Sequence, residues 1–398
     1  MPLKIFLEQN VYEAAIERIN WIFDEFKNVI VNISGGKDST VVYHIALQIA
    51  EERGRLPLQV MFIDQEAEWA HTINLVRKIM DDPRVKPMWF QMPIRIFNAA
   101  SHSSDWLHCW APGEKWMREK EPDSIKENVY GVDRFNELFG AIIDYHYPNE
   151  PACYIAGVRA AENPKRAIGL TQSICYKDVT WGMIENKKKK HIAFYPIYDW
   201  DTSDVWKAIN DNKWEYNKIY DYMYSYGIPL NKMRVSNLHH ETALEALKIC
   251  QEFEPDTWNA LLKRIDGANS IKQLKDGATG TPKELPFMFT SWREYRDYLL
   301  DNLVVMEDAR TRFRKRFERM DKTYEGMHNI DDMYKYQITS ILANDYFMTK
   351  IDNFERRPDV NAYRKYKRTG FITGKAIRDG NAYIFGDKND KESRRASN

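Results

Sequence analysis

The residues of this chain best equipped for chemistry are Ser34-Gly35-Gly36-Lys37-Asp38-Ser39. Paired glycines let the main chain adopt positive φ and come close to a ligand. Ser34 and Ser39 add hydroxyl donors, Lys37 adds a positive charge, and Asp38 suits a helix start, where a carboxylate complements the dipole. That set is fitted to phosphate oxygens. A second group is Asp64, followed by Gln65, Glu66 and Glu68; a third is Gly157-Val158-Arg159-Ala160-Ala161-Glu162, with Arg166 after it. His102, His108 and Cys109 gather within residues 101–109, but their spacing matches no standard zinc set, so zinc is not expected and polar loop contacts are. His239-His240-Glu241 lacks the HExxH spacing and reads as surface.

Elements must position these groups. Residues 28–33 (NVIVNI) are a short β-branched run, read as a buried strand, and residues 39–53 restart helical spacing at Val42, Ile45, Ala46 and Ile49. The first N–H groups of such a helix lack intrahelical partners and point back at the glycine loop, an anion site suited to pyrophosphate. The string is not a Walker A loop, because Val31 stands where its first glycine belongs and Asp38 follows Lys37; nor is it GxGxxG. Further strands are expected at 58–64, 85–93, 152–159 and 191–197, with helices over 11–26 and 68–80. Strands alternating with helices predict an α/β fold, a parallel sheet flanked by helices. Asp64 then ends the second strand, where ligands of open parallel sheets bind; ribose, magnesium or substrate is its expected partner, with helix capping as the rival. For Arg159 and Arg166 the rival is a solvated helix face.

Residues 100–147, rich in Trp, His and acidic groups, interrupt the alternation and read as an insertion near the site, a candidate lid. From about residue 215 the pattern turns helical, over 241–253, 256–265, 291–305, 306–320 and 331–350, with a Gly/Pro/Thr-rich loop at 276–286. The expected organisation is a nucleotide-binding domain over 1–225, a mainly helical domain over 226–386 and a disordered polar tail over 387–398.

The chain has 398 residues, 43% hydrophobic and 29% charged, with 58 Lys plus Arg against 58 Asp plus Glu. Bulk charge therefore argues for no nucleic-acid or membrane partner, and any electrostatic partner must read a local patch. Basic stretches at 310–316, 356–357 and 364–368 interleave aromatics with cations, which suits nucleic acid and equally an ordinary solvated helix. Cys109, Cys153, Cys175 and Cys250 form no CxxC pair, the first residues have no continuous apolar run, and no segment is apolar enough to cross a bilayer; a cytoplasmic location is expected.

The string SGGKDS resembles the PP-loop of the ATP pyrophosphatases and of their relatives, the adenylyl-sulfate and phosphoadenylyl-sulfate (PAPS) reductases, which implies an adenine nucleotide alpha hydrolase-like (PP-loop/HUP) fold. Residues 157–166 resemble that branch's GxRxxE…R element, and Tyr195-Pro196-Ile197-Tyr198-Asp199-Trp200-Asp201-Thr202-Ser203-Asp204-Val205-Trp206 resembles its P-[IL]-x-x-W-x-x-x-D-[VI]-W element. The resemblance spans about residues 20–240 and implies that Ser34, Gly35, Gly36, Lys37, Asp38, Ser39, Gly157 and Arg159 bind ATP, or PAPS or adenylyl-sulfate, that main-chain groups of Phe62 and Ile63 read the adenine edge, and that Asp64 meets ribose or magnesium. Lys37, Arg159 and Arg166 are then the catalytic cations. Asp201 or Thr202 would cap the next helix, and Trp200 and Trp206 would pack. Residues 226–234 resemble a subgroup with a helical C-terminal domain of no assigned function, some of whose members are similar to bacterial co-regulators found beside a ParB-like, sulfiredoxin-like partner.

The departures are equally specific. The redox cysteine of true PAPS reductases, in an ECGLH-like motif, has no counterpart, nor have the cysteines that hold an iron–sulfur cluster in some relatives. PAPS reduction is not expected. Adenylylation of an acceptor by ATP with pyrophosphate release is, and a nucleotide-responsive regulator is the alternative. No side chain stands out as a general base.

Overall fold

A computed structural model describes residues 7–98, 101, 104–162, 164–230, 233–235, 237–239, 244–265 and 283–371. The expected tail over 387–398, most of the 276–286 loop, and His102, His240 and Glu241 lie outside the described residues. The described residues fall into two compact units, one within 1–96, 106–238 and 245–264, the other within 97–105, 239–244 and 265–398.

In the first unit, α1 (Val11–Glu25) leads into β1 (Asn28–Asn32), then α2 (Lys37–Glu52), β2 (Leu58–Ile63), α3 (Ala70–Met80) and β3 (Val85–Phe90). After β4 (Ile94–Phe97) and β5 (Trp106–Cys109) come α4 (Phe135–His146), β6 (Ala152–Ala156), α5 (Pro164–Gln172), β7 (Gly182–Asn186), β8 (His191–Phe194), α6 (Thr202–Asn212), α7 (Ile219–Ser225), α8 (Leu244–Phe253) and α9 (Pro255–Arg264). Six strands form one sheet in the order β3-β2-β1-β6-β8-β7, all parallel except β7 against β8. The chain winds outward from β1 through β2 and β3, then returns to β6 on the other flank of β1. The carboxyl ends of β1 and β6 therefore frame a topological switch point, where such sheets open a crevice.

Alternation along the strands divides the sheet faces. Val29, Val31, Val60, Phe62, Cys153, Ile155, Ile192 and Phe194 share one core with α1, α2, α3 and α6. Ile30, Met61 and Tyr154, at the intervening positions, are buried as well, and Phe139 of α4 meets Tyr154 at 5.7 Å between ring centroids. Both faces are thus covered, which explains the near-continuous apolar strands.

Residues 100–147 are not one insertion. Residues 101 and 104–105 cluster with the second unit, residues 106–109 form a strand, and α4 is a working layer of the fold that buries Leu138, Ile142 and Ile143. The Trp- and His-rich composition around α4 obscured its ordinary helical spacing. The antiparallel strand β7 also went unread, because Glu185 and Asn186 run directly into the Lys187–Lys190 stretch and lend the segment a loop's composition.

The second unit holds α10 (Trp292–Leu303), α11 (Glu307–Tyr324), α12 (Ile330–Leu342), α13 (Thr349–Glu355) and α14 (Pro358–Thr369). Their core is aromatic, with Phe313, Phe317, Tyr324, Tyr346, Phe354 and Tyr363 buried together. The helix expected over 331–350 breaks at residues 343–348, where Asn344 and Met348 take positive φ. The basic stretch of α11 spends its charge inside the unit: Arg312 pairs with Asp105, Arg314 with Asp301, and Arg316 with Asp352 and Glu355. His239, expected at the surface, is buried.

Candidate functional site

β1 delivers the chain to Ser34, and Gly35 turns it at φ +68°. A side chain at Gly35 would be strained by that φ, and its Cβ would also lie 2.5 Å from Thr72 Cγ2. Gly36 precedes α2 and gives it no side-chain cap, as a residue without a side chain must. The Ser34 N–H donates to Ser39 Oγ (3.1 Å), which itself donates to Gly36 O (3.0 Å); Thr40 Oγ1 donates to the same carbonyl (2.9 Å). These bonds hold the loop in a fixed bend.

Across the switch point, β6 ends at Ala156 and Gly157 brings the chain against the start of α2. Arg159 is buried, and its Nε donates to Asp38 Oδ1 at 2.5 Å, while Lys37 Nζ donates to Asp38 Oδ2 at 2.9 Å. Lys37 is 4% exposed. Two cations thus converge on one carboxylate at a helix start, the point where negative charge is favoured. Arg159 N donates to Glu162 Oε1 (3.2 Å), and the other oxygen of Glu162 pairs with Arg166. Arg166 itself is exposed on α5 and forms an i,i+4 pair with Glu162, so it reaches Arg159 through that carboxylate.

Asp64 has a different occupation from the one expected. It is fully buried, and its oxygens accept from Trp89 Nε1 (2.9 Å), Gln91 Nε2 (3.0 Å), the Glu66 N–H (2.9 Å) and Arg118 Nη2 (2.6 and 2.5 Å). Arg118 comes from the loop after β5 and stacks over Trp110, 4.9 Å from the ring centroid. A carboxylate so fully engaged holds the β2 tip to that loop. Among the described residues no group of three His, Cys, Asp or Glu is arranged to hold a metal. Glu66, at φ +66°, accepts from the Trp110 and Met117 N–H groups and pairs with Arg264 (2.7 Å). Glu68 is buried beside them; burial first, then the charge of Asp64, pushes its carboxyl up to about 8. Phe62 and Ile63 bury their side chains in the core, leaving only main chain for any ligand.

Asp201 and Asp204 form the capping box of α6, and Trp200 is buried with its Nε1 donating to Val11 O (2.9 Å). Three residues of the loop's surroundings escaped the sequence reading. Asn217 Nδ2 donates to Gly35 O (3.0 Å) and to Thr72 Oγ1 (2.8 Å), and the Lys37 N–H donates to Tyr220 Oη (3.2 Å). Asn217 and Tyr220 are 182 and 183 residues from their loop partners and sit in no motif, so no local signal marks them.

Residues 28–226, half of the chain, match the phosphoadenosine phosphosulfate reductase domain family, and residues 227–364 match a domain of unknown function, DUF3440. The uncharacterized protein YbdN of Escherichia coli strain K12 is 28% identical over 388 residues, covering 91% of this chain and 95% of that protein. The uncharacterized protein MJ0973 of Methanocaldococcus jannaschii is 24% identical over 240 residues, covering 58% of this chain and 50% of that protein. Among solved structures, PAPS reductase from Candida auris aligns over 60% of this chain and 99% of its own, at 16% identity and a TM-score of 0.32, a level that carries no argument. The family match does carry one, and the chain belongs to the phosphoadenosine phosphosulfate reductase domain family.

Proposed function

We propose that the chain binds ATP, or a related adenine nucleotide, with its phosphates over residues 35–39, and that it activates an acceptor by adenylylation. The observation that carries this reading is the convergence of Lys37 and Arg159 on Asp38 at the start of α2, in the crevice between β1 and β6. In the reaction, an oxygen or sulfur of the acceptor attacks the α-phosphorus, the bond to the β-phosphate oxygen breaks, and pyrophosphate leaves. Lys37, Arg159 and the α2 N–H groups neutralise the leaving charge and hold the chain in line. Phe62 and Ile63 supply main chain to the adenine edge. Asp64, Arg118 and Glu66 brace the β2 tip instead of touching the nucleotide, and Arg166 supports Arg159 through Glu162. Magnesium is expected with the phosphates, but the nearby carboxylates are engaged, so no protein ligand and no step is assigned to it.

Sulfonucleotide reduction is left out of the proposal. Burial raises the thiol pKa at Cys109, Cys153, Cys175 and Cys250 alike, which disfavours the thiolate such chemistry requires. The alternative is a regulator in which nucleotide occupancy of the same loop is read by a protein partner such as a ParB-like one. Calorimetry with ATP and magnesium tests the site: Lys37→Ala and Gly36→Val should each weaken binding at least about tenfold. Unchanged affinity in both variants would remove the assignment. Pyrophosphate release with candidate acceptors then separates enzyme from regulator.

A further inference from the structure

Tyr220, on α7, is 3% exposed, and its hydroxyl oxygen accepts the Lys37 N–H at 3.2 Å. An oxygen that accepts the main-chain N–H of a helix's first turn stands where a bound phosphate oxygen would. The Tyr220 ring also lies beneath the Lys37 ammonium, with Nζ 5.6 Å from its centroid. A Cβ added at Gly36 would stand 3.5 Å from both Tyr220 Oη and Ser34 Oγ, so these two hydroxyls bound the space in front of the loop. Burial, and then the charge of Asp38, raises the phenol pKa; the group is a neutral hydroxyl that carries no charge of its own into the cluster.

On the nucleotide reading above, we propose that the Tyr220 hydroxyl is a built-in occupant of the loop, holding the Lys37 N–H until a phosphate oxygen takes that N–H and displaces it. Tyr220 is thus a positioning residue. It keeps a buried donor satisfied in the free protein, and a ligand has to compete with it, so apparent affinity falls by the fraction of protein in which the hydroxyl is seated. The bend itself survives the exchange, because Asn217 holds Gly35 O and Thr72 Oγ1 independently at 3.0 and 2.8 Å.

The test compares wild type with Tyr220→Phe, using inorganic pyrophosphate and ATP with magnesium as probes. Removal of the hydroxyl should lower the melting temperature of the free protein, tighten pyrophosphate binding about tenfold, and leave the melting temperature at saturating pyrophosphate equal to that of wild type. Weaker binding would mean that the hydroxyl contacts the ligand. An equal loss of melting temperature with and without ligand, at unchanged affinity, would mean a structural role only. Either result overturns the proposal while leaving the nucleotide site standing. Wild type binding neither probe, with Lys37→Ala making no difference, overturns both. Should the Phe variant not fold, the fluorine resonance of 3-fluorotyrosine at position 220 decides: it must move on saturation with pyrophosphate, and an unmoved resonance in a protein shown to bind rejects displacement.

Discussion

A Cβ placed on Gly157 would lie 2.5 Å from the main-chain nitrogen of Ser39. The other near atoms, Asp38 C at 2.5 Å and Asp38 O at 2.7 Å, are main chain too, so no side chain can swing away to make room. The glycine of the second motif is therefore required by the first: β6 approaches the start of α2 so closely that only hydrogen fits. Gly157→Ala should displace the α2 start, cost about 1–3 kcal/mol of stability and weaken ATP binding more than tenfold. Thermal melts and calorimetry on the same variant check both parts, and wild-type affinity in a folded Gly157→Ala protein would contradict this account.

Glu68 makes stability depend on pH in a stated direction. Its carboxyl is raised from 4.5 to about 8, chiefly by burial, so the folded protein keeps a proton that the unfolded chain has lost. Stability from this group is complete below about pH 4.5, declines as pH rises, and is lost above about 8. Glu68→Gln imitates the protonated form. Its melting temperature relative to wild type should rise between pH 5 and pH 8.5, a span chosen at about the two limits of that titration. A difference that stays constant across the range would show that Glu68 is ionised in the fold.

Asp64 and Arg118 form a buried pair whose partners are not interchangeable with water. Arg118→Ala leaves the Asp64 carboxylate, 0% exposed, with only neutral donors, a loss on the order of 3–5 kcal/mol. Because Asp64 is placed outside the nucleotide's contacts, affinity for ATP in the folded fraction should change by less than about threefold, under the roughly 1.4 kcal/mol of a tenfold change. A large loss of affinity without loss of stability would return Asp64 to the ligand.

The helical C-terminal unit has its own buried charge. Arg296, 2% exposed, donates to Gln337 Oε1 (2.5 Å) and Asp321 Oδ2 (2.9 Å) between the rings of Phe317 and Tyr334. Arg296→Ala should destabilise this unit by about 3–5 kcal/mol. Hydrogen exchange should locate the loss in residues 292–342, with α2 and β1 protected as before; uniform loss across both units would show that they unfold together.

How much of this was legible in the residues alone follows from how local each signal is. The SGGKDS string, the strand before it and the helix after it are contiguous, so spacing alone shows a strand–glycine turn–helix, and the alternation beyond it shows a parallel sheet. The C-terminal helices expected up to residue 350 repeat their apolar residues within one turn or two and were legible for the same reason, except where positive φ at Asn344 and Met348 breaks the run; α14 was not, because the cations at 364–368 dominate its composition. Composition misled at α4, where flanking Trp and His residues hid an ordinary buried face.

What only the tertiary structure decided are contacts between residues far apart in the chain. Strand order places Arg159 against Asp38, 121 residues away, and α7 returns Tyr220 to Lys37. The same folding draws Arg118 onto Asp64, a carboxylate that its position at a strand end had recommended for the ligand. Periodicity reports which way a side chain faces on its own element. Whether its charge is left for a ligand depends on which distant donors reach it, and that is settled only when the sheet closes.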